Sequence, residues 1–142
     1  MHWKELISEK KIRQKAAIPQ EWILDNIPSE KTLNVIDFPE KSGLLSEKEI
    51  EITNSQVGPL LERLADGSWS AVEVTTAFSK RAVIAHQLVS SFRDSLRSLI
   101  LNKSIQKVNC LTEIFIERAL ARASQLDEHL KTTGTVVGPL HG

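Results

Sequence analysis

The chain has 142 residues, 41% hydrophobic and 25% charged, the make-up of one soluble globular domain. Lysine plus arginine equals aspartate plus glutamate at 18 each, so no overall field draws the chain to nucleic acid or to an anionic membrane. Cys110 is the one cysteine, which excludes an internal disulfide and a multi-cysteine metal site and points to a reducing, cytoplasmic setting.

Residues 1–45 read as a charged amino-terminal arm. Met1 to Glu5 runs straight into alternating charges and has no apolar core of signal-peptide length. Trp3, Leu6, Ile7 and Ile12 make a loose helical stripe among lysines and glutamates. Pro19 suits a first helical position ahead of Gln20-Glu21-Trp22. Pro28 and Pro39 bracket an irregular stretch, Ser29 to Phe38, expected to lie extended over something else. The arm holds too few apolar residues to fold independently.

Residues 46–142 carry sharper signals. Ser46-Glu47-Lys48-Glu49 is a capping box, in which the serine oxygen accepts from the third amide and the glutamate reaches back. A helix over about Ser55 to Ala65 follows, with Val57, Leu60, Leu61 and Leu64 on one face. Pro59 is tolerable in its first turn, and Gly67 supplies a left-handed stop. Ser70-Ala71-Val72-Glu73 is a second capping box, opening a helix whose predicted buried face is Val74, Phe78, Ala82, Ala85 and Leu88. The last strong helix is predicted from about Leu111 to Leu130. Its buried line is Leu111, Ile114, Phe115, Ala119, Ala123, Leu126 and Leu130, and Gly134 ends it. Thr135-Val136-Val137 then begins a nascent strand, and Gly138-Pro139 turns. The fold class expected is mainly α: four to five helices plus that terminal strand. A strand without a partner finishes a domain poorly, so the chain reads as cut.

No catalytic set assembles in the sequence. His86, His129 and His141 stand on separate elements without a His-x-x-x-His pair, and read as surface or partly buried imidazoles rather than zinc ligands. Cys110 lacks a low-pKa context and reads as a packing residue. Glu113, Glu117, Asp127 and Glu128 read as a solvated face, with Asp127 and Lys131 an i,i+4 pair worth a few tenths of a kcal/mol. Ser90-Ser91, flanked by Val89 and Phe92, is not set up to hold an oxyanion. Only 6 glycines occur, and no glycine-rich loop is present to bring backbone amides to a phosphate or oxyanion. No catalytic, cofactor-binding or metal-ligating residue is assigned, and no cofactor is expected.

Three stretches together are nevertheless recognisable. They are Ser70 to Leu88, Val108-Asn109-Cys110-Leu111-Thr112-Glu113-Ile114-Phe115 with Ala119 to Ala123, and the closing Val137-Gly138-Pro139-Leu140-His141-Gly142. With Ala17-Ile18-Pro19-Gln20-Glu21-Trp22 in the arm, they resemble the amidase signature family, in its fungal acetamidase-like branch. The resemblance implies a fragment of a large α/β domain, residues 46–142 being the helical amino-terminal part of a truncated amidase domain. It implies hydrolysis of a small-molecule carboxylic amide by a Ser-cis-Ser-Lys triad, with glycine-rich backbone holding the oxyanion. In the family the Gly-Pro-Leu-His-Gly motif leads within a few residues to the catalytic lysine. That lysine, both serines and the glycine-rich loop would therefore lie beyond Gly142, and none is carried over. Gly138 and Gly142 match turn-shaping positions.

In such relatives the text of Ala85-His86-Gln87-Leu88 runs directly into that of Val108-Asn109-Cys110-Leu111. Here Val89 to Lys107 intervenes, an atypical insert of nineteen residues encoded by fifty-seven nucleotides. Val-Ser at its start suits the intron opening GTA-AGT, and Lys at its end suits a closing AG, so the segment reads as a translated, retained intron. The alternative is a lineage-specific helical extension, with Phe92, Leu96, Leu99 and Ile100 at helical spacing and a locally basic surface. For the whole chain, the reading is an amidase fragment inactive alone. Its alternative is a non-catalytic helical interaction module that pairs with full-length relatives, and self-association suits either.

Overall fold

A computed structural model describes residues 2–28, 32, 34–99, 111 and 113–141, with backbone alone for residue 2 and for 89–99. It contains α1 (His2–Ala16), a 3-10 turn (Gln20–Trp22), α2 (Phe38–Lys41), α3 (Glu47–Asn54), α4 (Val57–Ala65), α5 (Ala71–Leu99) and α6 (Ile116–Thr133). No strand occurs among the described residues, so the expected terminal strand is corrected: Thr135 to Val137 lie in irregular chain and bends. No neighbouring strand is there to satisfy its backbone.

Both capping boxes form. Ser46 Oγ accepts from the Glu49 amide at 3.2 Å while the Ser46 amide donates to Glu49 Oε2 at 2.8 Å. Ser70 Oγ accepts from the Glu73 amide, and the Ser70 amide donates to Glu73 Oε2, each at 3.0 Å. Gly67 (φ +75) and Gly134 (φ +66) take the left-handed conformation that stops α4 and α6, a region a Cβ disfavours. Pro19 caps a 3-10 turn instead of an α-helix, and α2 is one turn beginning at Phe38 with Pro39 just inside.

The spine is α5, which borders three buried clusters. Toward its amino end Ala71, Val74 and Ala77 pack with Ile52 of α3, Leu64 of α4, Trp69, and Ala123 and Leu126 of α6. Farther along, Ile84 and Leu88 meet Leu24 and Leu45, with Val35, Phe38, Leu44 and Ile50 against them. Val83 meets Trp22 of the arm and Ile116 of α6, beside Ile18, Ile114 and Leu120. Each fully buried aliphatic side chain here contributes about 1.5–3 kcal/mol relative to exposure.

The predicted buried face of α5 needs correction. Phe78 is 45% exposed, whereas Ala77, Val83 and Ile84 are buried. A single stripe cannot describe a helix covered from several directions. α6 likewise starts at Ile116, not Leu111, and Phe115 and Ala119 are exposed. Leu111 and Glu113 instead meet α1, where Gln14 Nε2 donates to the Leu111 carbonyl at 2.7 Å and Lys10 pairs with Glu113 at 3.7 Å. The Trp3, Leu6, Ile7 and Ile12 stripe is helical, as expected, but exposed.

Gln87 ties the arm to the spine. Its Oε1 accepts from the Leu24 amide and its Nε2 donates to the Trp22 carbonyl, both at 2.9 Å. Gln87→Leu keeps the apolar bulk but leaves both backbone groups without these partners. The expected loss is about 1–3 kcal/mol of stability, read from the urea midpoint. A midpoint equal to wild type would show that the arm docks without the amide.

Candidate functional site

The junction of α5 and α6 is the best-built polar site among the described residues. Four amides at the start of an α-helix lack intrahelical partners, and their aligned dipoles favour negative charge. At α5, Ser70 Oγ takes the Glu73 amide. The preceding two amides are taken by a side chain more than fifty residues away: Asp127 Oδ1 accepts from Ala71 at 2.6 Å and Oδ2 from Val72 at 3.1 Å. This overturns the reading of Asp127 as part of a solvated face pairing with Lys131. The aspartate is half-buried, and its partners are the two amides. Glu117 and Glu128 are exposed as expected, and Glu113 is exposed while pairing with Lys10. Nothing local in sequence signals that α6 meets the start of α5, so the cap was not legible there.

Around this junction charged side chains fasten α3 to α5. Lys48 pairs with Glu73 at 2.5 Å and Lys80 with Glu49 at 2.7 Å. Arg81 Nη1 donates to Thr53 Oγ1 and Asn54 Oδ1. The Lys48 hydrogen bond, then the Ser70 amide, hold the Glu73 carboxyl below the ordinary carboxylate range. For Glu49 burial pushes upward most, but the Lys80 hydrogen bond and Ser46 contacts together outweigh it, and the net direction is down.

A cleft of about 350 Å³ adjoins Asp127, lined by Trp69, Ser70, Leu130 and Lys131 among others. A wider groove of about 420 Å³ lies along the arm between Asn26 and Lys41. Neither unites a nucleophile with a base: both carboxylates lining the first accept from backbone amides, Asp127 from Ala71 and Val72 and Asp66 from Ser68, and Asp37 in the second pairs with Lys41 at 3.4 Å. No three His, Cys, Asp or Glu side chains converge on a metal-sized site among the described residues. No described helix is long and apolar enough to cross a membrane.

Two of the three histidines lie deeper than expected. His129 is half-buried, whereas His86 and His141 are buried, with 8% and 4% exposure. His141 Nδ1 accepts from the Val137 amide at 3.2 Å, closing the turn of the Gly-Pro-Leu-His motif. Cys110, the side chains of residues 89–99, Ser90 and Ser91 among them, and all of residues 100–107 lie outside the described residues.

Asp127→Asn replaces a charged double acceptor by a neutral side chain with a single carbonyl oxygen. The expected cost is about 2 kcal/mol in chemical denaturation, against near zero for exposed Glu128→Gln. Equal midpoints for the two variants would remove the cap's assigned weight. The depressed carboxyls set an acid limb. Glu49 and Glu73 contribute stability that is complete above the unfolded value of 4.5 and lost as pH falls through their lower folded values. The urea midpoint therefore drops on acidification below 4.5, and less steeply in the Glu49→Gln, Glu73→Gln double variant. A double variant with an unchanged acid limb would contradict the assignment.

No family model matches the chain. It is 43% identical over 140 residues to an acetamidase of Aspergillus oryzae, covering 99% of this chain and 22% of that protein. Identity to an amidase of Gibberella moniliformis is 36% over 148 residues, covering all of this chain and 24% of the relative. A putative amidase of Schizosaccharomyces pombe is 38% identical over 141 residues, 23% of its length. Among solved structures, fatty acid amide hydrolase matches with a TM-score of 0.74 and 29% identity, over 95% of this chain and 21% of that one. The chain thus spans between a fifth and a quarter of the length of these relatives. The resemblance to the amidase signature family, in its fungal acetamidase-like branch, holds in sequence along nearly the whole chain. The helical structure corresponds to part of the fold of an amide hydrolase.

Proposed function

We propose that this chain is the amino-terminal helical part of an amide hydrolase of the Ser-cis-Ser-Lys type, which splits a carboxylic amide into carboxylate and ammonia with one water. The observation that carries the reading is the 43% identity to an acetamidase along the whole chain but over only 22% of that enzyme. By itself the chain is inactive, because the lysine, the two serines and the glycine-rich loop of the triad are not among its residues. Its contribution is structural: α5, braced by α3, α6 and the arm, forms a helical wall against which the remaining polypeptide folds.

Exposed apolar side chains favour a role that needs a partner. Phe78, Phe115, Val137 and Leu140 all face solvent, Leu140 at 81% exposure. The second reading, an interaction module that pairs with full-length relatives, draws on the same observation and differs in whether the partner is covalently continuous.

The test is a chimera in which this chain replaces the matching 22% of the Aspergillus oryzae acetamidase, made with and without residues 89–107. The 142-residue chain alone is expected to release no ammonia from acetamide. The chimera is expected to do so, and more strongly without the insert if 89–107 is a retained intron. Two inactive but folded chimeras, together with capture of the intact relative by this chain, would replace the hydrolase reading by the interaction module.

A further inference from the structure

One short piece of the arm, Lys10 to Leu24, holds the chain on both sides of the 89–107 insert. Ahead of the insert, Gln87 accepts from the Leu24 amide and donates to the Trp22 carbonyl, each at 2.9 Å. Leu88, the last residue before it, is buried in the cluster that contains Leu24. Behind the insert, Gln14 Nε2 donates to the Leu111 carbonyl at 2.7 Å, and Lys10 pairs with Glu113 at 3.7 Å. Ile18 of the arm and Ile114 pack against one cluster, formed by Trp22, Val83 and Ile116. The Lys10–Glu113 pair is exposed and adds little, so Gln14 and Ile114 carry the trailing side. Meanwhile α5 keeps its helical backbone through Leu99, about 16 Å past Leu88. The covalent link from α5 to α6 is therefore long, whereas the contacts through the arm are direct.

We infer that Lys10 to Leu24 is a strap that keeps α6 on α5 independently of the chain joining them, so that the point after Leu88 accepts added residues without loosening α6. The inference concerns the packing of this chain alone and does not rest on the proposed function. Its physical basis is the entropy of the opened state. When α6 lifts from α5 with the strap closed, the freed helix is tethered at Leu111 and Ile114, and the length of the insert does not enter. With the strap open, α6 hangs on everything between Leu88 and Ile116. That stretch has twenty-seven residues, or eight without the nineteen of the insert. The freedom of the opened state grows as the three-halves power of tether length, so the insert then favours opening about sixfold.

Native-state hydrogen exchange at the centre of α6 reads this opening directly. Four chains are compared: the 142-residue chain with and without residues 89–107, each with the strap intact or cut by Gln14→Leu and Ile114→Ala. Any general loss of stability from the two substitutions is common to both lengths and cancels in the ratio. With the strap intact, exchange with and without the insert is expected to agree within about twofold. With the strap cut, removing the insert is expected to slow exchange about sixfold. If the shortened chain does not fold, the long-tether arm replaces it. Adding about sixty glycine and serine residues after Lys107 is then expected to leave the intact-strap chain unchanged and to speed exchange about sixfold in the cut one. If the doubly substituted chain does not fold, Gln14→Leu alone is read in its place, with a length dependence in the same direction. A several-fold dependence on length with the strap intact overturns the inference. So does a cut strap that leaves exchange indifferent to length.

Discussion

One carboxylate, that of Asp127, joins the two longest helices. Its two oxygens occupy the Ala71 and Val72 amides at the start of α5, where the helix dipole concentrates positive potential. The contact brings α6 antiparallel along α5, so that Ala123 and Leu126 close the cluster built by Ile52, Leu64, Trp69, Val74 and Ala77. It also leaves Ser70 and Glu73 to complete the remaining cap locally. Without Asp127 the amino end of α5 would keep its box yet lose the element that covers its side. At the other end of α6, Ile116 packs against Val83 and Trp22.

What could be read from the sequence was local. Ser46-x-x-Glu49 and Ser70-x-x-Glu73 name their own partners three residues away, and Gly67 and Gly134 mark left-handed stops wherever the rest of the chain goes. What could not be read depends on long-range meetings. Asp127 looks like any surface acid until the start of α5 lies beside it. Gln87 looks like a polar residue on a helix until the arm's Trp22 and Leu24 present a carbonyl and an amide. Phe78 fits a helical stripe as well as Ala77 does. Only the approach of α3, α4 and α6 decides that the alanine goes inside, since a small residue lets the helices come close.

The functional residues show the same division. Composition and spacing excluded a metal cluster and a glycine-rich anion loop, and the resemblance supplied the chemistry that the residues themselves do not assemble. The relatives share the whole length of this chain but use it as less than a quarter of theirs. Among the described residues Phe78, Phe115, Val137 and Leu140 are exposed, whereas His141 is buried.

The central claim is that the start of α5 and the body of α6 form one cooperative unit through Asp127. Native-state hydrogen exchange of individual amides tests it directly. The Ala71 and Val72 amides, which no intrahelical carbonyl protects, are expected to exchange as slowly as the amides at the centre of α6 and to share their opening free energy. Rapid exchange at Ala71 and Val72 beside a protected α6 would contradict it.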